Sequence, residues 1–293
     1  MTAPAEAFAG FGEGAVEFYD GLLADNSKAY WTDHRAIYEQ DVLEPMRALL
    51  AALQPEFGPG KIFRPYRDVR FSRDKTPYKT ACGASVGPFY VQISADGLLV
   101  AGGGYRWAPD QVARFRTAVD DERRGEDLAA RLGTLTATMI EGAAPTVAGD
   151  LLATRPRGIA PDHPRLELLR HRSLYAHRGW EPDDVLHEAR TAQRVAAVWR
   201  ATRPLTDWID DHVGASSTVG EVRRNVTRAP MTTSTVRRRD HARSGAESTL
   251  HERESTHKDR LYARAGHGDP GPAPRADPGR HGRRASELQP WRP

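Results

Sequence analysis

The sequence predicts an α+β domain over residues 1–214, with an antiparallel sheet of about four to six strands packed by helices from the N- and C-terminal parts of that stretch. Two shifts of period carry the prediction: apolar residues recur at helical spacing up to about residue 57, alternate between about 62 and 101, and return to helical spacing from about 109. A third observation sets the extent, because periodicity stops at Gly214.

Phe8, Phe11, Ala15, Phe18 and Leu22 form the apolar stripe of a first helix. Asp25-Asn26-Ser27 supplies a stop and a fresh N-cap. The helix that starts at Lys28 places Trp31, His34, Arg35 and Tyr38 on one face. There His34 reads as a partly buried histidine bonded to a carboxylate or carbonyl rather than as a ligand. Pro45 starts or kinks the next segment, whose Met46, Leu49, Leu50 and Leu53 face the core. Gly58-Pro-Gly-Lys61 does not complete a phosphate loop, since Pro55 and Ile62 stand where glycine and a hydroxyl residue are needed.

From Ile62 the pattern is that of strands. Phe63, Val69 and Phe71 fall on one face, Arg64, Tyr66, Asp68, Arg70 and Ser72 on the other, and Arg67 shares the apolar face. An arginine so placed snorkels to the edge, pairs with a carboxylate or lines a pocket. After a turn at 72–77, residues 78–86, 89–94 and 98–101 continue an antiparallel meander through Gly87-Pro88 and Asp96-Gly97. Gly102-Gly-Gly104 reads first as a close approach of two backbones and second as an anion cradle. Helices are expected from Pro109, with Val112, Phe115 and Val119 inward, and over 125–142, followed by an edge strand at 145–152. A second basic cluster runs from Arg155 through Arg157, Arg165, Arg170, His171 and Arg172, before two closing helices at 182–200 and 204–212.

Charge divides the chain. Residues 1–214 hold 26 Lys+Arg and 30 Asp+Glu, a net of −4, and residues 215–293 hold 16 and 9, a net of +7. The latter stretch contains seven Leu, Ile, Val or Phe, which is the composition of a disordered basic tail or of a frame-shifted or read-through extension. Within the acidic body, residues 61–80 form an island of seven cations (Lys61, Arg64, Arg67, Arg70, Arg73, Lys75, Lys79) and two carboxylates (Asp68, Asp74), interleaved with Tyr66 and Tyr78. One cysteine, Cys82, precludes an intrachain disulfide, and the scattered histidines offer no metal centre. No membrane span or signal segment is expected, which makes the cytoplasm the default location, and no cofactor is indicated.

Taken together, Phe8-Ala-Gly-Phe11, Asn26-x-Lys28 with Tyr30-Trp31 and His34-Arg35-x-x-Tyr38, the island from 63 to 80, Gly102-Gly-Gly-Tyr105 with Pro109-Asp-Gln111, Pro156-Arg-Gly158 and Asp162-His-Pro164 resemble the bacterial and fungal domain-of-unknown-function family 2461. The resemblance covers about residues 8–214. It departs where the family reads Asn-Asn-Lys-Glu-Trp-Phe, since Ser27, Ala29, Tyr30 and Trp31 here omit the carboxylate. The resemblance implies a domain boundary and no activity.

Three functions compete for the island. It is an anion site in which Arg64, Arg67, Arg70, Arg73, Lys75, Tyr78 and Lys79 hold a phosphate or carboxylate. It is a structural ion-pair network. Or it is a phosphoryl- or acyl-transfer centre using Asp68 or Asp74 with His163. The anion site ranks first and a small anionic ligand is favoured over nucleic acid for the body, because a bounded positive patch on a negative domain fits a localised partner. No pattern speaks to oligomeric state.

Overall fold

The computed structural model describes residues 7–67, 70 and 75–217. Residues 218–293 of the expected tail and residues 68, 69 and 71–74 of the island lie outside the described residues. The fold is α+β, with a six-stranded antiparallel sheet in the order β1-β2-β3-β4-β6-β5. Strands β1 (Lys61–Ile62), β2 (Ala81–Val86), β3 (Phe89–Ser94) and β4 (Gly97–Gly104) make the expected meander. Gly97, at the β3–β4 turn, adopts φ +88° and lies so close to the Trp180 carbonyl that a Cβ would meet it at 2.3 Å. The edge strand is β5 (Thr146–Ala148), and β6 (Leu174–Trp180), which had no counterpart in the sequence pattern, is inserted between β4 and β5.

Helices α1 (Ala15–Ala24), α2 (Lys28–Ile37) and α3 (Glu44–Phe57) follow the apolar stripes, with a π-helical turn at Tyr38–Leu43 between the last two. Phe8 and Phe11 precede α1 yet are buried. Ser27 caps α2 by accepting the Tyr30 N–H at 3.1 Å. Pro45 follows the π turn, and the Asp41 carbonyl four residues before it accepts the Gly12 N–H at 2.9 Å in place of a helical bond. The following helices are α4 (Pro109–Asp120), α5 (Glu122–Ala137), short α6 (Leu166–Leu169) and α7 (Arg190–His212). Two expectations are corrected here. The helix expected over 125–142 ends at Ala137, where Thr138 turns extended (ψ 110°), and the two closing helices are one, preceded by a 3-10 turn at Asp184–His187. Pro204 removes one helical hydrogen bond, but Trp199 before it and Leu205 and Trp208 after it are buried, so packing carries α7 through. None of the described helices is long and apolar enough to cross a membrane.

Strand register assigns every sheet residue a face. Cys82, Ile93 and Leu98 are cross-strand neighbours, as are Ala84, Val91 and Val100, and all six belong to the cluster built with α1, α3 and α7. Leu174 and Ala176 join a second cluster with α4, α5 and the end of α7. The helices therefore pack the first face of the sheet. The second face carries Gly83, Tyr90, Gln92, Leu99, Ala101, Tyr175 and His177. Leu99, Ala101 and Tyr175 are buried, yet they belong to neither helix-packed cluster.

Candidate functional site

Past β1 the basic stretch doubles back as a short hairpin. The Phe63 N–H donates to the Gly83 carbonyl at 2.9 Å, Tyr66 pairs with Tyr78, and the Arg67 and Lys79 N–H groups donate to the Pro77 and Pro65 carbonyls at 2.8 Å each. Asn26 acts as one residue of an additional strand. Its side chain accepts the Tyr78 N–H at 3.0 Å and donates to the Tyr78 carbonyl at 3.1 Å. The Tyr78 ring lies flat on Trp31, with centroids 4.4 Å apart and planes 6° apart. Tyr78, read from the sequence as a ligand contact, thus has its ring in the core, where burial raises its pKa.

That anchor decides which way the neighbouring side chains point. Tyr66 shares the Tyr78 side of the hairpin, 5.9 Å from the Trp31 ring. Phe63 and Lys79 turn to the opposite side. Phe63 stacks on Tyr90 of the second face at 6.2 Å, and Lys79 Nζ lies 5.5 Å from the Phe63 ring. The sequence places the Phe63 side toward the core; the core is reached by Tyr78 instead, because α2 offers it Trp31 and Asn26. The Arg67 guanidinium donates to the Thr76 hydroxyl. Arg64, Arg70 and Lys75 are exposed. Arg73, Asp68 and Asp74 lie outside the described residues.

His163 is not brought to this hairpin. Its Nδ1 accepts the Arg165 N–H at 3.0 Å, so Nε2 carries the proton and faces Asp120 Oδ1 at 3.2 Å. Asp120 ends α4 and Arg165 precedes α6, elements whose Val119 and Leu169 belong to the second core cluster, whereas the hairpin packs on Trp31 in the first. Arg165, Arg170 and Arg172 of the second basic cluster are occupied in the same local way, whereas Arg155 and Arg157 are exposed. Arg165 donates to the Val119 and Asp120 carbonyls at 2.8 and 3.2 Å, Arg170 to the Leu152 carbonyl at 3.0 Å, and Arg172 pairs with Asp150 at 2.6 Å. His34 also follows the bland reading, since it stacks on Tyr30 at 4.0 Å and bonds the Tyr30 carbonyl.

The three glycines that end β4 are sites of close approach. Added Cβ atoms would meet Thr202 Oγ1 at 2.3 Å, the Tyr175 Cα at 2.5 Å and Trp107 Nε1 at 2.2 Å for Gly102, Gly103 and Gly104 respectively. Cys82 packs in the core, and burial pushes its thiol up to about 12, which makes it an unreactive group. Among the described residues no cluster of three or more His, Cys, Asp or Glu could hold a metal ion. A cavity of about 700 Å³ at the Gly87-Pro88 end of the sheet is bordered by Glu56, Asp207 and Asp210 and includes no island residue.

Beside the hairpin the second face presents groups that a count of cations misses. The Tyr90 hydroxyl donates to Gln92 Oε1 at 2.8 Å, and Gln92 is 7% exposed. The polar phase of β3, Tyr90-x-Gln92-x-Ser94, was the available signal for this surface. On β6, His177 Nδ1 is buried with no hydrogen-bond partner, and burial lowers the pKa of the ring. Its strand carried no such signal, because Tyr175 and His177 alternate with Leu174 and Ala176 and offer little contrast in polarity.

Comparison with curated proteins and with solved structures gives no significant match. The sequence profile of the conserved hypothetical proteins of domain-of-unknown-function family 2461 (DUF2461) matches residues 14–208, and the chain belongs to that family.

Proposed function

We propose that the protein binds a small anionic ligand, phosphate- or carboxylate-bearing, at the basic hairpin where it adjoins the second face of the sheet. One observation carries the reading: the Asn26 and Trp31 anchors fix the hairpin backbone, on which Lys79 stands over the Phe63 ring stacked on Tyr90 while the Arg67 N–H donates to the Pro77 carbonyl of the facing segment. Cations held on a backbone that is already ordered spend little further entropy in gripping an anion. Arginine adds the bidentate geometry that matches phosphate and carboxylate.

The transfer-enzyme reading needs His163 beside the island, and the contacts of His163 with Asp120 and Arg165 give it a different task. A purely structural network predicts that the hairpin cations matter for stability and not for ligands. Thermal unfolding with inorganic pyrophosphate separates the two. Saturating pyrophosphate stabilises the wild-type protein by RT ln(1 + [L]/Kd), about 2.7 kcal/mol at a hundredfold excess over Kd. Arg67→Ala and Lys79→Ala fold normally and lose that stabilisation. Equal stabilisation of wild type and both variants would remove the hairpin from the reading.

A further inference from the structure

Among the aromatic rings of the described residues Tyr66 alone is left open, at 50% exposed, whereas Trp31, Tyr38 and Tyr78 behind it are buried. The exposure does not come from a loose loop. Tyr66 pairs with Tyr78, whose peptide group is held at both ends by the Asn26 side chain, and Pro65 just before it accepts the Lys79 N–H at 2.8 Å. Its ring lies 5.9 Å from Trp31 and 5.5 Å from Tyr78, and those two rings stack on one another. The fold thus presents to water an aromatic surface that is already ordered, and a flat group settling on it meets little further entropic cost.

The chain leading to Tyr66 carries cations that the fold does not use. Lys61 lies on β1, the edge strand of the sheet, and Arg64 follows two residues past its end; both are exposed, and among the described residues neither has a carboxylate or hydrogen-bond partner. On α2, by contrast, Arg35 is neutralised by Glu39 at 2.8 Å. Extended chain advances about 3.3 Å per residue, so Arg64 stands roughly 7 Å and Lys61 at most roughly 17 Å from Tyr66 along the backbone.

The shape of this surface selects among anions. A small ligand asks for a concave site that buries most of its surface, and the 700 Å³ cavity borders none of these residues. An acidic peptide would match the cations and leave the ring unused. The base faces of a duplex are closed by their own stacking, whereas a single strand offers both flat faces and a row of phosphates.

We propose that Tyr66, Arg64 and Lys61 form a contact for single-stranded nucleic acid, in which one base stacks on the Tyr66 ring and neighbouring phosphates meet the two cations. This surface lies on the Trp31 side of the hairpin, and the anion reading concerns the side of Phe63 and Lys79, so the two stand or fall separately.

The test compares the binding of oligothymidylate and of an abasic strand with the same number of phosphates to the full chain. The basic stretch 215–293 attracts both strands alike, so their ratio reports the ring. Oligothymidylate binds about tenfold more tightly, the gain expected from one stacked base. Tyr66→Ala removes that preference and Tyr66→Phe keeps it, while pyrophosphate stabilisation is unchanged in both. Arg64→Ala weakens both strands and lowers the slope of log affinity against log salt by about 0.7, the share of one phosphate. In the labelled wild-type protein the Tyr66 ring protons move upfield with oligothymidylate and stay in place with the abasic strand. Equal affinity for the two strands, or a preference that survives in Tyr66→Ala, would overturn the proposal. Displacement of oligothymidylate by polyglutamate as readily as by the unlabelled strand would assign the surface to acidic chains at large and overturn it as well.

Discussion

Arg165 and Arg67 both lie in proline-containing, cation-rich stretches, yet they end in different surroundings. Arg165 stands where α4 ends and donates to the carbonyls of Val119 and Asp120. Arg116 does the same for Leu169, and Arg114 reaches the carbonyls of Val213 and Ala215 after α7. Helix C-termini leave carbonyls without intrahelical partners, and a nearby guanidinium is the obvious donor. Arg67 stands on a hairpin whose carbonyls and N–H groups already bond one another and Asn26. Its guanidinium donates to a side chain, the Thr76 hydroxyl. Arginines near helix ends serve the carbonyls of the fold, whereas Arg67 bonds within its own hairpin.

Substitutions break or sharpen this contrast, and the largest effect belongs to the most absorbed arginine. Arg194 is 7% exposed, bonds Glu141 at 2.6 Å and grips Asp183 with two bonds of 2.8 and 2.7 Å. Glu141 also accepts the Trp180 indole N–H at 3.0 Å, so α7, β6 and the 3-10 turn meet in one network. Arg194→Ala lowers the unfolding free energy by about 3 kcal/mol in urea titration, because two carboxylates are left without their cation. Next comes Asn26→Ala, which takes both side-chain bonds from the Tyr78 peptide group. A loss of about 2 kcal/mol is expected, and it should be accompanied by weaker pyrophosphate stabilisation as the hairpin loosens. Arg165→Ala costs about 1 kcal/mol through the two carbonyls it serves, with pyrophosphate stabilisation unchanged.

Acid unfolding gives a smaller and separate check. The hydrogen bonds from Arg194, opposed by burial, hold Asp183 below the usual carboxylate range. A carboxylate depressed in the folded state contributes stability above its unfolded value of about 3.9, and that contribution is lost as pH falls through the folded value. Wild-type stability therefore falls below about pH 4, and the fall is shallower in Arg194→Ala, as denaturant midpoints measured at successive pH values would record. The smallest stability effect is that of Arg67→Ala, within about 0.5 kcal/mol of wild type.

The contrast also explains what could be read in advance. The meander was legible because Val91 and Ile93 alternate with Tyr90 and Gln92, and the helical stripes were legible because each faces one core. The role of Asn26 was not, since its partner is 52 residues away and its local pattern is that of a cap. Tyr78 for the same reason looked like a site residue until Trp31 claimed its ring. The continuous α7 was hidden by Pro204, a local breaker overridden by one buried tryptophan on each side, Trp199 and Trp208. The cations of the candidate site stood out in the sequence by charge alone, whereas the row of Tyr90, Ala101 and His177 on the second face needed the strand register.

The most direct test of this contrast is pyrophosphate titration of wild type, Arg67→Ala and Arg165→Ala, followed by thermal unfolding in each. The account predicts that Arg67→Ala keeps the unliganded melting temperature and loses the ligand-induced rise, while Arg165→Ala melts lower and keeps the full rise. A rise retained in Arg67→Ala and lost in Arg165→Ala would contradict it, and would place the anion at the helix ends instead of the hairpin.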